Sequence, residues 1–213
     1  MTAYARQLRS ILSQSERNVL RAISSPKEIQ NYLDTLPINF ELTGETYMSS
    51  RRVIREQRAH CIEGAMFAAS ALAYHGARPL LLDFVTIPED ECHVVALFQQ
   101  NGYWGAISKT NHSILRYRDP VYRTVRELAM SYVHEYLTWS GQKSVRAYSA
   151  PFDLSRFSPD QWVTAEQNLE WVVEKLDKSR HFPLVPKENI KHLRKASEIE
   201  LRAMKLTDWQ SSK

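Results

Sequence analysis

Apolar positions recur at helical spacing near the N-terminus, alternate as short strands in the middle of the chain, and return to helical spacing beyond them. Leu8, Ile11, Leu12, Val19, Leu20 and Ile23 keep a period of about 3.6 as far as Ser24-Ser25-Pro26, which predicts one helix up to that break. Pro26 opens a short second helix with Ile29, Tyr32 and Leu33 turned inward, and Pro37 closes it. Residues 38–50 alternate poorly and contain Gly44, so they predict a loop or a short edge strand. From Cys61 to His75 the segment is rich in alanine and free of proline, and Gly76 stands where helices end in a left-handed residue. Its small residues let other elements approach closely, the mark of a central, buried helix.

Three strands follow in quick order, LLLDFVTI (80–87), CHVVALFQ (92–99) and YWGAISK (103–109), joined by a Pro88-Glu89-Asp90 turn and a tight Asn101-Gly102 hairpin turn. Asp119-Pro120 reads as an N-cap and first helical proline, predicting a helix over 121–137. Ser158-Pro159 repeats the device before a helix over 161–179, with Gln161 completing a capping box, and a last, highly charged helix covers roughly 187–206. The pattern is that of an α+β protein in which an alanine-rich helix packs on a short antiparallel sheet. Residues 1–150 form the core domain with its N-terminal helices, and 151–213 a helical extension packed on it or trailing from it.

Composition narrows the class of protein. Of 213 residues, 43% are hydrophobic and 24% charged, the proportions of a globular chain. The charge balance, 28 − 24 = +4, is too small to argue for nucleic acid without a concentrated basic patch. No stretch approaches the roughly 18 apolar residues of a membrane helix, and Arg6, Arg9, Glu16 and Arg17 interrupt any signal-peptide core, so the expectation is a cytoplasmic protein with no membrane partner. Cys61 and Cys92 are too few for a disulfide framework and are expected as free thiols.

Cys61 carries the candidate chemistry. It opens the buried helix, where unpaired N–H groups and the positive end of the macrodipole favour thiolate, and His60, Arg58 and Arg55 add positive potential. The bland alternative is a small buried apolar residue, as many free cysteines are. His93 tilts the balance, because it begins an apolar strand and so sits at a sheet end, within reach of a helix N-terminus. Together they are the two halves of a thiolate–imidazolium pair. Two Cys and two His, at 60–61 and 92–93, also have the composition of a zinc site. Neighbours on a strand point to opposite faces, however, and neither pair has metal-ligand spacing, so no metal or other cofactor is expected.

The stretches RAHCIEGAMFAASALAYHGARPLLLDF and CHVVALFQQNGYWGAISK resemble the core of the transglutaminase-like superfamily, whose fold is papain-like; the resemblance covers roughly residues 25–110. It implies Cys61 as nucleophile, His93 as its base and Trp104 as the aromatic on the third strand. Four residues beyond Trp104, where that family has an aspartate, this chain has Ser108. Hairpin parity supports the same position independently. With Gln100 opposite Tyr103, His93 lies opposite Thr110, and Trp104, Ser108 and Thr110 share its face, leaving Asn111 as the alternative third residue. A serine holds the ring but supplies no charge to an imidazolium.

One donor to a reacting carbonyl oxygen is the Cys61 N–H, and Gln57 is named for the second. Glu63 is read as solvent-facing or as a first-turn cap. The arginine- and tyrosine-rich run 111–123 leaves the strand beside the site, so Arg116 and Arg118, with Trp104, are candidates for substrate binding. The expected activity is thiol acyl transfer on a peptide, protein or small amide or ester. The competing class is a binding protein that keeps the fold without the acid. Oligomeric state is left open.

Overall fold

The computed structural model describes residues 1–42 and 44–207. The periodic N-terminal run is two helices, α1 (Ala3–Ile11) and α2 (Gln14–Ala22). They part at Ser13, whose hydroxyl accepts the Glu16 N–H while the Glu16 carboxylate accepts the Ser13 N–H at 2.7 Å. A capping box thus interrupts the run without disturbing its apolar period, because both halves bury residues in one core. α3 (Pro26–Thr35) starts as expected, with Pro26 in its first turn and a Ser25–Glu28 capping box. Between Ile38 and Ser49 the described residues form no strand, only an isolated bridge from Ile38 to Ala59, and then comes an unforeseen helix, α4 (Ser50–Glu56), which ends on Gln57 at φ +52°.

α5 (Cys61–Tyr74) is buried from Ile62 to Tyr74. A Cβ on its Gly64 would collide with the Lys109 side chain, so glycine is what lets the end of the third strand come down onto the first turn. Lys109 runs past it to give its ammonium to the carbonyls of Leu33 and Leu36 at the end of α3.

β1 (Leu80–Val85), β2 (His93–Gln100) and β3 (Tyr103–Ile107) form the expected antiparallel run. Asn101 and Gly102 take φ +52° and +83°, and Gln100 pairs with Tyr103, the register that the two-residue turn requires. Beyond β3 the sequence rules lose ground. Asp119-Pro120 does not cap a helix. It lies in an edge strand, β4 (Arg118–Tyr122), where a missing N–H is tolerated, and α6 (Val125–Met130) begins six residues later on the Thr124 cap before dissolving into turns. β5 (Ala147–Ser149) and β6 (Phe152–Asp153) both pair with β1. The helix expected over 161–179 shrinks to α7 (Glu170–Asp177), preceded by a 3-10 turn at Pro159–Gln161. β7 (His181–Pro183) joins β5, so the C-terminal part contributes a strand to the sheet. The last charged run is a 3-10 segment, Lys187–His192, and α8 (Glu198–Met204).

The sheet runs β4-β3-β2-β1-β5-β7, with antiparallel pairing throughout. Its two faces bury separate cores. Leu81, Val94, Ala96, Phe98 and Ile107 pack under α5 and the N-terminal helices, while Leu80, Leu82, Phe84, Val95, Leu97 and Ala106 pack under Leu128, Tyr132 and Tyr136. This is an α+β architecture. Among the described residues no helix is long and apolar enough to cross a membrane.

Candidate functional site

Cys61 and His93 come from opposite layers. α5 covers one face of the sheet, whereas strand parity sets His93 on the other face with Val95 and Leu97. They meet because each is the first residue of its element and both elements begin at the same end of the sheet. There the sulfur interacts with two imidazoles, that of His93 and that of His60, whose Nδ1 lies 3.9 Å away. Burial opposes ionisation of Cys61. The hydrogen bonds of His60 and His93, with their charge, prevail and bring the thiol from an ordinary 9.0 down to about 5. Burial likewise works against a charged His60. The hydrogen bond and charge of Cys61, then Glu63 and the Thr46 carbonyl, raise it to about 9.

Ser108 settles the tautomer of His93. Its Oγ lies 2.8 Å from His93 Nε2 and 2.5 Å from the Leu115 carbonyl oxygen. A carbonyl only accepts, so the serine proton points at Leu115 and the serine oxygen accepts Nε2–H. Nδ1 is then left with a lone pair for the thiol. The surroundings hold this arrangement in place. Gln30 of α3 clamps the Ser108 backbone, accepting its N–H at 2.9 Å and donating to its carbonyl at 2.8 Å. Leu115 takes φ +59°, a costly conformation for a leucine, and its N–H is fixed by Glu135 at 2.7 Å.

Glu63 is neither solvent-facing nor merely a cap. Fully buried, it accepts the N–H groups of His60 and Met48, the Thr46 hydroxyl and the Asn39 amide, tying the 39–48 segment to the first turn of α5. Neither this role nor the reach of His60 to the sulfur is visible in the sequence. The adjacency of His60 to Cys61 was the one available signal.

The pair opens on a cleft of about 620 Å³ that is also lined by His60, Asn111 and Tyr136, with the half-exposed Phe40 and the 63% exposed Trp139 at its rim. Asn111 is therefore near the site, but the partner of His93 is Ser108. Cys92 is exposed and lines the same cleft, its sulfur 3.9 Å from the Thr86 hydroxyl. Among the described residues no three His, Cys, Asp or Glu side chains converge as metal ligands would.

The remaining candidates are not brought to the cleft. The Arg118 guanidinium lies 2.6 Å from Glu135, bonds Ser131 and stacks over the Tyr132 ring, so it is committed within the protein. Arg116 reaches toward Asp34 at 4.0 Å on α3. Trp104, opposite Gln99, is partly buried against the second of the two cores. Gln57 donates to the Tyr32 hydroxyl and the Ile54 carbonyl, which withdraws it as a donor to substrate. None of the four lines the cleft. No protein-family model matches this chain, and no curated protein matches it.

Proposed function

We propose that the protein is a thiol acyl-transfer enzyme built on a papain-like, transglutaminase-like core, with Cys61 as nucleophile and His93 as its acid–base partner. The observation that carries this reading is the Ser108 hydroxyl, which donates to Leu115 and so obliges His93 to hold its proton on Nε2 and offer Nδ1 to the sulfur. The thiolate attacks an amide or ester carbonyl, and His93, protonated on Nδ1, returns that proton to the leaving group. The thioester is then released to water or an amine. Ser108 brings no negative charge to the imidazolium. His60, whose affinity for a proton is raised to about 9, and the start of α5 supply instead the positive field that holds the thiolate.

The same serine favours a second reading, a binding protein on this fold that has dispensed with the acid. The two part on acylation. As an enzyme, the protein reacted with p-nitrophenyl acetate releases a burst of p-nitrophenolate and gains one acetyl mass on Cys61. A binding protein whose thiol is alkylated but never acylated would remove the enzyme reading.

A further inference from the structure

Tyr136 is 1% exposed, and its hydroxyl has no hydrogen-bond partner among the described residues. Buried hydroxyls are nearly always bonded, so an orphan needs a reason. Its position supplies one. Phe84 stands directly opposite His93 across β1 and β2, and the Tyr136 ring packs on Phe84 with centroids 5.6 Å apart, so Tyr136 lies over the strand pair beside His93 and on the same face of the sheet. The residue also lines the cleft into which Cys61 opens.

The ring cannot swing elsewhere. It is held in the core with Phe84 and Tyr132, and its backbone is bonded at both ends, N–H to the Tyr132 carbonyl at 3.3 Å and carbonyl from the Ser144 N–H at 3.1 Å. Burial first, and then the neighbouring charges, that of Cys61 among them, push the hydroxyl well above its ordinary range, so it keeps its proton and acts as a donor. A rigid donor on the wall of the nucleophile's cleft, with its acceptor missing, is what a developing oxyanion requires.

Building on the acyl-transfer reading, we infer that the Tyr136 hydroxyl donates a hydrogen bond to the substrate's carbonyl oxygen as Cys61 attacks, alongside the Cys61 N–H, which as the first of α5 has no acceptor within the helix. Attack forms the S–C bond and moves the carbonyl π pair onto oxygen, where the two donors meet it. Collapse of that pair back to the carbonyl breaks the bond to the leaving group and leaves the acyl group on sulfur. Tyr136 is thus the second donor, the place for which Gln57 is unavailable.

The test compares two reagents on Tyr136→Phe, which removes only the hydroxyl. p-Nitrophenyl acetate reacts through an oxyanion, whereas iodoacetamide alkylates sulfur by displacement at a saturated carbon. Acetylation should slow by about 10²–10³-fold. Alkylation should stay within about twofold, and because no bond is lost in the free protein the melting temperature should hold or rise. Circular dichroism of the variant verifies its fold, and Tyr136→Leu, tested the same way, should repeat the selective loss. Acetylation of Tyr136→Phe within about threefold of the parent would overturn the inference and leave the hydroxyl as the partner of a resident cleft water only. So would alkylation falling in step with acetylation, since the hydroxyl would then act on the thiolate. If the parent protein is alkylated but never acetylated, the acyl-transfer reading itself fails, and this inference with it.

Discussion

His93 and His181 belong to the same sheet, and each is bonded through Nε2, the first to Ser108 at 2.8 Å and the second to Asp83 at 3.1 Å. They differ at Nδ1. In His181 that nitrogen is taken by the Ser179 carbonyl at 2.8 Å, so both sides of the ring are occupied and it ties β7 to β1. In His93 it is left for Cys61, at a cleft. The buried carboxylate that would complete a conventional triad is therefore present, but beside the other histidine. Asp83 is raised by its burial, against the pull of His181, and makes no bond to His93. A general base is marked by a lone pair facing a cavity, and an acidic partner alone does not confer it.

The two histidines are told apart most directly by removing each ring, or the thiol beside His93. Cys61→Ala should abolish ester acylation, and His93→Ala should reduce it about 10²–10⁴-fold. His181→Ala should leave the chemistry in place and instead strand Asp83, lowering stability by about 2–4 kcal/mol, somewhat less than for a wholly buried pair because His181 is 19% exposed. Burst titration and thermal unfolding on the same samples separate the two effects, and a catalytic loss in His181→Ala at full folding would erase the distinction.

The next effect is on pH dependence. With the Cys61 thiol at about 5, the rate of alkylation should rise with a midpoint near pH 5, where an ordinary cysteine would turn on near 9. His60→Gln should move that midpoint upward. The sign for stability follows from the same values. Cys61 is depressed on folding, so its contribution is complete above about pH 9 and lost as pH falls through about 5. His60 is raised, so its contribution is complete below about 6.5 and lost as pH rises through about 9. The gap in melting temperature between the parent and Cys61→Ala should accordingly narrow as pH falls through about 5.

Ser108 sharpens the contrast further. Ser108→Ala frees the tautomer and should slow acylation by about tenfold or less. Ser108→Asp gives His93 the kind of partner that His181 has and should raise Cys61 reactivity near neutral pH. It also sets a carboxylate against the Leu115 carbonyl in place of a donor, so the melting temperature should fall. Alkylation rates and melting curves of both variants test this. The smallest change is expected at Cys92. Cys92→Ala should alter acylation less than twofold and stability by less than about 0.5 kcal/mol, as for exposed positions generally.

Legibility follows the same division as the two histidines. The Cys61–Tyr74 helix, the Asn101-Gly102 turn and the β2–β3 register were open to reading because each rests on rules that act within a few residues: alanine content, a turn needing two positive φ values, and the alternation of side chains. Ser108 facing His93 is a consequence of that alternation. The helices expected after Asp119 and Ser158 start late and run short for a reason of the same kind, since proline after Asp or Ser suits an edge strand or a 3-10 turn as well as a helix, and only the neighbouring strand decides.

By itself the sequence determined the α5 helix, the hairpin and the face on which His93 and Ser108 lie, because backbone geometry fixes parity wherever the fold places the strands. Tertiary structure alone decided which histidine offers a lone pair, since that depends on the acceptors brought to each ring: the Leu115 carbonyl, which turns the Ser108 proton away from His93, and the Ser179 carbonyl, which occupies His181. It likewise took Arg118 for Glu135 and Tyr132, buried Glu63 among four donors and left the Tyr136 hydroxyl without a hydrogen-bond partner among the described residues. Hydrogen-bond partners are chosen by what packing makes adjacent, and burial makes that choice matter, because a polar group removed from water must take whichever neighbour the fold provides.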